Sequence, residues 1–205
     1  MTTTYTPGTA RTGPAATDIH ATAASRIRPT AETRPVPAIA AQVIRTPAGP
    51  LSVLARDGVV VAAGFTGEPE EMLARLAPAL RAAGMRLVDD LGAPARAVRE
   101  YLDGDLTALD AVPVEQPGSE RRLRLLAALR AVPAGTTVTY AELAERAGMP
   151  RTAARAAGGA CAGNLIAPFV PCHRVLPATG GLGGYYYGTD VKRWLLDHES
   201  RHARP

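Results

Sequence analysis

A cysteine and a histidine stand side by side in the stretch 170–175, which reads VPCHRV. A thiolate is a strong nucleophile, and neighbouring side chains such as His173 and Arg174 can stabilise it and lower the pKa of the thiol. Adjacent residues of a strand point to opposite faces, so His173 can assist Cys172 only if the chain turns tightly there. The fixed φ of Pro171 favours such a turn. The stretch therefore indicates a cysteine nucleophile with a neighbouring base.

Other uses of these residues fit the spacing less well. A papain-like protease has its cysteine and histidine far apart in sequence, and metal sites use i,i+4 or CxxC spacing. The two cysteines, Cys161 and Cys172, are too few for a disulfide framework or a four-cysteine zinc site. A cysteine taken at random is more often a small buried hydrophobe, so the neighbours of Cys172 carry the functional interpretation.

Composition and charge bound the class of protein. The chain has 205 residues, 46% of them hydrophobic, and its longest apolar run, Val59–Phe65, is far shorter than the roughly 18 residues that span a bilayer. With no secretory signal visible, we expect a reduced, cytoplasmic protein without a membrane partner. Residues 116–205 carry twelve Arg or Lys against six Asp or Glu. A polyanion would bind this part, although a solvated Arg-rich surface also explains the charge.

The sequence divides into a tail, an α/β unit and a mainly helical domain, at residues 1–36, 37–115 and 116–205. The tail is rich in Thr, Ala and Pro, which predicts disorder, and order should begin near Ile39. In the α/β unit, two β-rich runs joined by Asp57-Gly58 predict a hairpin. Further predicted elements there are helices over 70–83 and 94–101 and an edge strand or extended linker over 106–115. This unit shows no cluster of chemically active side chains.

Helix signals dominate after the break at 116–118. Capped helices are predicted over 119–131, 139–147 and 150–161. The last two, joined by a short Gly-Met-Pro turn, predict a helix-turn-helix. The third helix consists mostly of Ala and Gly but carries Arg151 and Arg155. Such a helix either docks on nucleic acid or packs its small residues against a neighbouring helix.

Several motifs in order resemble one known family. Asn164 is followed eight residues later by PCHRV, then by a Gly-rich loop at Tyr185 and by KRWLLDHE over 192–199. This arrangement resembles the O6-alkylguanine-DNA alkyltransferases, also called methylated-DNA–protein-cysteine methyltransferases, over about residues 43–200 and most strongly from Val138 onward. The resemblance implies an α/β N-terminal unit, with a small ribonuclease H-like sheet and helices. A mainly helical C-terminal domain with a helix-turn-helix would follow it.

The resemblance implies direct repair of double-stranded DNA that contains O6-alkylguanine. An alkyl group, mainly methyl, would move irreversibly to Cys172. His173 matches the base that acts through a water, Glu199 matches the carboxylate that orients the imidazole, and Asn164 matches the residue that braces the turn carrying Cys172. Because a thioether has no easy leaving route, each molecule would act once. The chemistry needs no cofactor and no metal, and a monomer suffices.

A base that reacts with a buried thiol must first leave the duplex. In the resemblance, Tyr140 matches the tyrosine that helps to rotate the nucleotide, and Arg155 matches the arginine that fills the vacated stack. The family places its second helix in the minor groove, where small residues allow a close approach. The DNA-contacting residues implied in this way are Tyr140, Arg151, Ala154, Arg155 and Gly158.

The resemblance assigns the substrate pocket to Pro171, Val175, Tyr185, Tyr186 and Tyr187. Relatives usually carry a small polar residue and then glycine after the pocket tyrosine, whereas this chain has Tyr186 and Tyr187. We therefore predict a narrow pocket that accepts methyl groups better than benzyl groups. The chain also departs from the family at 121–126, where an Arg- and Leu-rich run replaces the usual Phe-Gln and Val-Trp pattern, and at Thr152, which looks like an insertion.

Two further functions stay open on the sequence alone. A lesion-binding protein would flip alkylguanine without transferring the group; Cys172 argues against it, and the crowded pocket favours it. The chain could also accept alkyl groups from a different adduct or small molecule. Loss of transfer with retention of lesion binding in Cys172→Ser would favour the transferase.

Overall fold

The computed structural model describes residues 38–203, so the predicted tail at 1–36 lies outside the described residues. A four-stranded sheet forms the first part, with strands β1 (Ile39–Thr46), β2 (Gly49–Arg56), β3 (Val59–Gly64) and β4 (Met85–Leu87). The strand order is β3-β2-β1-β4, in which β1 and β3 are antiparallel to β2 and β4 is parallel to β1. The result is a small mixed sheet.

The β2–β3 hairpin confirms the turn predicted from sequence. Asp57 and Gly58 both have positive φ, 52° and 80°, as a two-residue hairpin turn requires. β2 is buried continuously from Leu51 to Ala55, and β3 is buried from Val60 onward. Neither strand shows the alternation of a half-exposed strand, because helices and loops cover both faces of the sheet here.

Three short helices follow in the first part: α1 (Pro69–Ala74), α2 (Pro78–Ala82) and α3 (Ala93–Leu102). The prediction of one helix over 70–83 is wrong, because Ala77, which precedes Pro78, is extended with ψ of 147°. The predicted edge strand over 106–115 is also wrong in part. Its centre is a 3₁₀ turn, Ala108–Ala111, and only Val114 bridges to β3.

The second part contains four helices and a two-stranded parallel sheet. The helices are α4 (Glu120–Arg130), α5 (Tyr140–Arg146), α6 (Ala154–Ala162) and α7 (Thr189–His202), and the strands are β5 (Val138–Thr139) and β6 (Val175–Leu176). Ser119 caps α4 as predicted. Thr139 and Glu142 form a reciprocal capping box at the start of α5, which sets the position of Tyr140.

One hydrophobic core joins the two parts and holds the segment before Cys172 in place. Side chains from β3, α3, α4 and α7 belong to the same buried cluster. The outer edge of β3 is also hydrogen-bonded to that segment, since the Ala63 N–H donates to Leu165 O (2.8 Å) and the Ala167 N–H donates to Ala63 O (3.0 Å). The first part therefore positions the turn at Cys172–Arg174. Within residues 38–203, no helix has both the length and the apolar composition to cross a membrane.

Candidate active site

The reactive turn brings Cys172 into a cavity of about 310 Å³. Cys172–Arg174 form a single 3₁₀ turn, preceded by Pro171 with φ of −84°. The thiol of Cys172 therefore lines the cavity, while the His173 imidazole is fully buried. The cavity is lined by Tyr140, Gly158, Cys161, Ala162, Asn164, Cys172, Gly184, Tyr185, Tyr186 and Tyr187.

Asn164 contacts the thiol directly and is itself held by three hydrogen bonds. Its Nδ2 lies 3.3 Å from Cys172 Sγ and donates to Val170 O at 2.7 Å. Its Oδ1 accepts from the Ile166 N–H (3.1 Å) and from Gln116 Nε2 (3.2 Å). Both groups of the amide are therefore occupied, which fixes its orientation toward the sulfur.

Burial raises the pKa of the Cys172 thiol, although the Asn164 hydrogen bond and the Lys192 charge oppose this. The resting group is therefore a thiol that needs a base, which corrects the expectation that His173 and Arg174 lower its pKa. The Arg174 side chain points elsewhere, to Glu199 and Val132 O.

Glu199 is the common acceptor for four residues, each of which lies at least 25 positions away from it in sequence. Its Oε1 accepts from His173 Nε2 (2.8 Å), Arg174 Nη2 (2.8 Å) and the Tyr101 hydroxyl (3.0 Å). Its Oε2 accepts from Arg174 Nε (3.0 Å) and the Gly135 N–H (3.2 Å). Burial alone would raise the pKa of Glu199, but the hydrogen bonds from His173 and Arg174 and the charge of Arg174 outweigh it and hold that pKa well below its usual range. The group is an ionised carboxylate.

This carboxylate decides which nitrogen of His173 is basic. An ionised carboxylate can only accept, so the ring proton is assigned to Nε2 and the lone pair to Nδ1. Nδ1 is buried and has no hydrogen-bond partner among the described residues. Burial lowers the pKa of His173 despite the opposing effect of Glu199, so the resting ring is neutral. It can take up a proton at Nδ1.

Helices α5 and α6 border the opening of the cavity. A Cβ on Gly158 would lie 3.9 Å from the Tyr140 ring, so the two residues are close neighbours. Arg155 is exposed on the outer face of α6, and Ala154 is half-buried. Arg151 forms an exposed ion pair with Glu145. Exposed pairs of this kind contribute little to stability.

The chain is similar in sequence to known DNA-repair proteins. It is 35% identical over 159 residues to the methylated-DNA–protein-cysteine methyltransferase of Shigella flexneri. The aligned region covers 76% of this chain and 92% of the Shigella protein. The chain belongs to this methyltransferase family. The profile described as 6-O-methylguanine DNA methyltransferase, DNA binding domain, matches residues 120–201. Direct-reversal DNA repair by alkyl transfer to a cysteine is therefore its function, and it binds DNA.

Solved structures of family members agree with this assignment. The crystal structure of Mycobacterium tuberculosis O6-methylguanine methyltransferase is 31% identical, with a TM-score of 0.67, and covers 81% of this chain and 95% of its own. The M. tuberculosis protein has also been crystallised in complex with DNA. That structure is 29% identical, has a TM-score of 0.66, and covers 80% of this chain and 94% of its own.

The cavity of this family member brings together most of the residues that the sequence analysis singled out. Asn164, Cys172, Tyr185, Tyr186 and Tyr187 line it, together with Tyr140 and Gly158. His173 and Glu199 lie behind the cavity wall: His173 follows Cys172 in the same turn and is hydrogen-bonded to Glu199. Pro171 and Val175, which were predicted to be pocket residues, do not line it. Both are buried, and the carbonyl of Val175 instead accepts from Lys192 Nζ at 2.8 Å.

Four residues that position or influence the site residues were not predicted in these roles from the sequence. Tyr101 and Arg174 bind Glu199, Gln116 binds Asn164, and the buried Lys192 carries a charge near the thiol. The motif around 172–174 already contained Arg174 and the run over 192–199 already contained Lys192. Nothing in the local pattern marks Tyr101 or Gln116, because their partners lie 98 and 48 residues away.

Proposed function

We propose that Cys172 is the acceptor and that the substrate is O6-alkylguanine in double-stranded DNA. The observation that carries the proposal is the buried His173–Glu199 pair. Its histidine is the next residue after Cys172, whose thiol lines a cavity with aromatic walls. A volume of about 310 Å³ lies at the lower end of the range for small-molecule pockets. A single flipped base is a ligand of that class.

The transfer is a displacement at the alkyl carbon. Cys172 Sγ forms the new S–C bond as the C–O6 bond breaks, and the bonding electron pair stays on the guanine oxygen. The thiol proton passes, through a bridging water, to His173 Nδ1, and Glu199 stabilises the resulting imidazolium. The imidazolium then gives up this proton, which neutralises the guanine anion, and the guanine leaves as the unmodified base. A thioether remains on Cys172, so each molecule reacts once.

Helices α5 and α6 are proposed to act as the helix-turn-helix that opens the duplex. The α6 surface is built from Ala and Gly, which suits close approach in a minor groove. Arg155 is exposed and long enough to enter a vacated stack, while Tyr140 borders the cavity that would receive the flipped base. Ala154, Gly158 and Arg151 would face the backbone or groove.

The remaining features of the architecture are proposals of the same kind. The strand order β3-β2-β1-β4, with only β2 reversed, supports a ribonuclease H-like N-terminal sheet. We place the division between the two domains at 115–116, where the helical part begins. A monomer suffices for a reaction that uses one thiol once.

Intact-mass measurement after mixing the protein with an O6-methylguanine duplex tests the proposal. We expect one methyl group per molecule, located by peptide mapping on the peptide that holds Cys172. Cys172→Ser should bind the lesion and gain no mass. A methyl group on Cys161, which lines the same cavity, would refute the assignment of the acceptor. Tight lesion binding without any mass gain would instead favour a lesion-binding protein.

The DNA-binding assignment has its own test. Arg155→Ala should weaken binding to the lesion duplex and slow the transfer, while Arg96→Ala, an exposed change on α3, serves as the matched control. If Arg155→Ala and Arg96→Ala bind and react alike, α6 is not the helix that opens the duplex.

A further inference from the structure

Arg75 connects the N-terminal α/β part to the wall of the active-site cavity. It lies at the C-terminal end of α1, in the part of the chain to which the sequence assigned no chemistry. Its Nη1 donates to the Tyr187 hydroxyl at 3.3 Å. Its guanidinium carbon also lies 4.3 Å from the centre of the Tyr186 ring, in cation–π geometry. One side chain thus holds two successive residues of the cavity wall.

The Tyr187 ring is seated against the N-terminal sheet. Its edge packs on Phe65 with ring centres 5.9 Å apart, and its hydroxyl lies 3.7 Å from Met72 Sδ and 3.5 Å from Ala63 O. Any Cβ at Gly64 would overlap the Tyr187 hydroxyl, so the glycine makes this close approach possible. Burial raises the pKa of Tyr187 to about 12 against the opposing charge of Arg75, so the phenol stays protonated.

The same residues form one side of the cavity that contains Cys172. Tyr185, Tyr186 and Tyr187 all line it, and neighbouring rings within this group make edge contacts at 5.0 and 5.7 Å. Tyr186 is 71% exposed, so packing alone does not hold it. One way for the cavity to admit a bulkier adduct is for this wall to move outward. Such a movement must break the contacts that Arg75 makes with both tyrosines.

We propose that Arg75 is a specificity-determining residue, which restricts the alkyl groups accepted by holding Tyr186 and Tyr187 in place. This inference rests on the proposed function of the cavity. Arg75 does not itself line the cavity and acts through the two tyrosines. The N-terminal part thereby sets the substrate range of a reaction that takes place in the C-terminal part.

The test compares the rates of transfer from O6-methylguanine and O6-benzylguanine duplexes, followed by intact mass. In Arg75→Ala we expect the benzyl-to-methyl rate ratio to rise about tenfold, because a charge-assisted hydrogen bond and a cation–π contact are both lost. Tyr187→Phe keeps the ring and removes the hydroxyl, so its ratio should rise by less. Arg81→Ala, an exposed change on the adjacent helix α2, is the matched control and should leave the ratio unchanged.

The double variant shows whether Arg75 acts through Tyr187. Tyr187→Phe should raise the ratio by less in Arg75→Ala than in the unmodified protein, because the hydrogen bond between Arg75 and Tyr187 is already gone. A ratio in Arg75→Ala equal to or below that of the unmodified protein would overturn the proposal, and so would independent, multiplying effects of the two changes. If the unmodified protein transfers no methyl group at all, the proposed function fails instead.

Discussion

Replacing Glu199 with Gln removes a buried negative charge that His173, Arg174 and Tyr101 share. The carboxylate is fully buried, and Arg174 is only 4% exposed. The amide keeps one acceptor but directs an NH₂ group at donors, so the Arg174 charge is left without its partner. Breaking a buried ion pair from one side costs about 3–5 kcal/mol of folding free energy. The variant should therefore unfold at markedly lower urea concentration.

The same change should slow the alkyl transfer. With Gln at 199, the His173 ring loses the charge that stabilises its protonated form, and general-base assistance contributes roughly 10²- to 10⁴-fold to a rate. Single-turnover transfer followed by intact mass, at a temperature where the variant is folded, measures the loss. Asp197→Asn makes the same chemical change at an exposed position of α7 and should shift stability by less than about 0.5 kcal/mol.

The pH dependence of stability gives a second readout of Glu199. Because its pKa is lower in the folded protein than in the unfolded chain, the stability it contributes is fully present above the unfolded value, about 4.3. That contribution is lost as the pH falls toward the folded value. The gap between the unmodified protein and Glu199→Gln should therefore narrow in acid. A variant as stable and as reactive as Asp197→Asn would refute the reasoning.

Three further predictions follow from contacts around the site. Because burial lowers the pKa of His173, the transfer rate should stay level as the pH falls to about 6.5 and should drop only below that pH. Intact mass measured at a fixed reaction time across pH tests this, and a fall at higher pH would show that the ring is protonated at rest. Gln116→Ala removes a donor to Asn164 Oδ1 and should cost about 1 kcal/mol in urea unfolding and slow the transfer, an idea that an unchanged rate would contradict. Thr139→Ala removes the capping box with Glu142 and should lower stability by about 0.5–2 kcal/mol, with little change if the cap is unimportant.

Local features of the fold could be predicted because short-range interactions decide them. The Asp57-Gly58 turn, the Ser119 cap and the Thr139 cap all depend on residues within about four positions of one another. The motif around Cys172 could be recognised directly because its residues, 171–175, are consecutive in the sequence. The predicted helix over 70–83 failed because Pro78 breaks it, and the predicted strand over 106–115 failed because its centre forms a 3₁₀ turn.

The sequence by itself identified the reactive side chains: a cysteine beside a histidine, an asparagine eight residues before the cysteine and a glutamate in the last helix. Tertiary structure alone decided how they work. Folding partly buries the thiol, which raises its pKa and makes it depend on a base, and it turns Arg174 toward Glu199. It also brings Tyr101, Gln116 and Arg75 to the site from distant parts of the chain. Their roles arise from burial and from contacts between segments many residues apart, and neither can be predicted from the pattern of neighbouring residues.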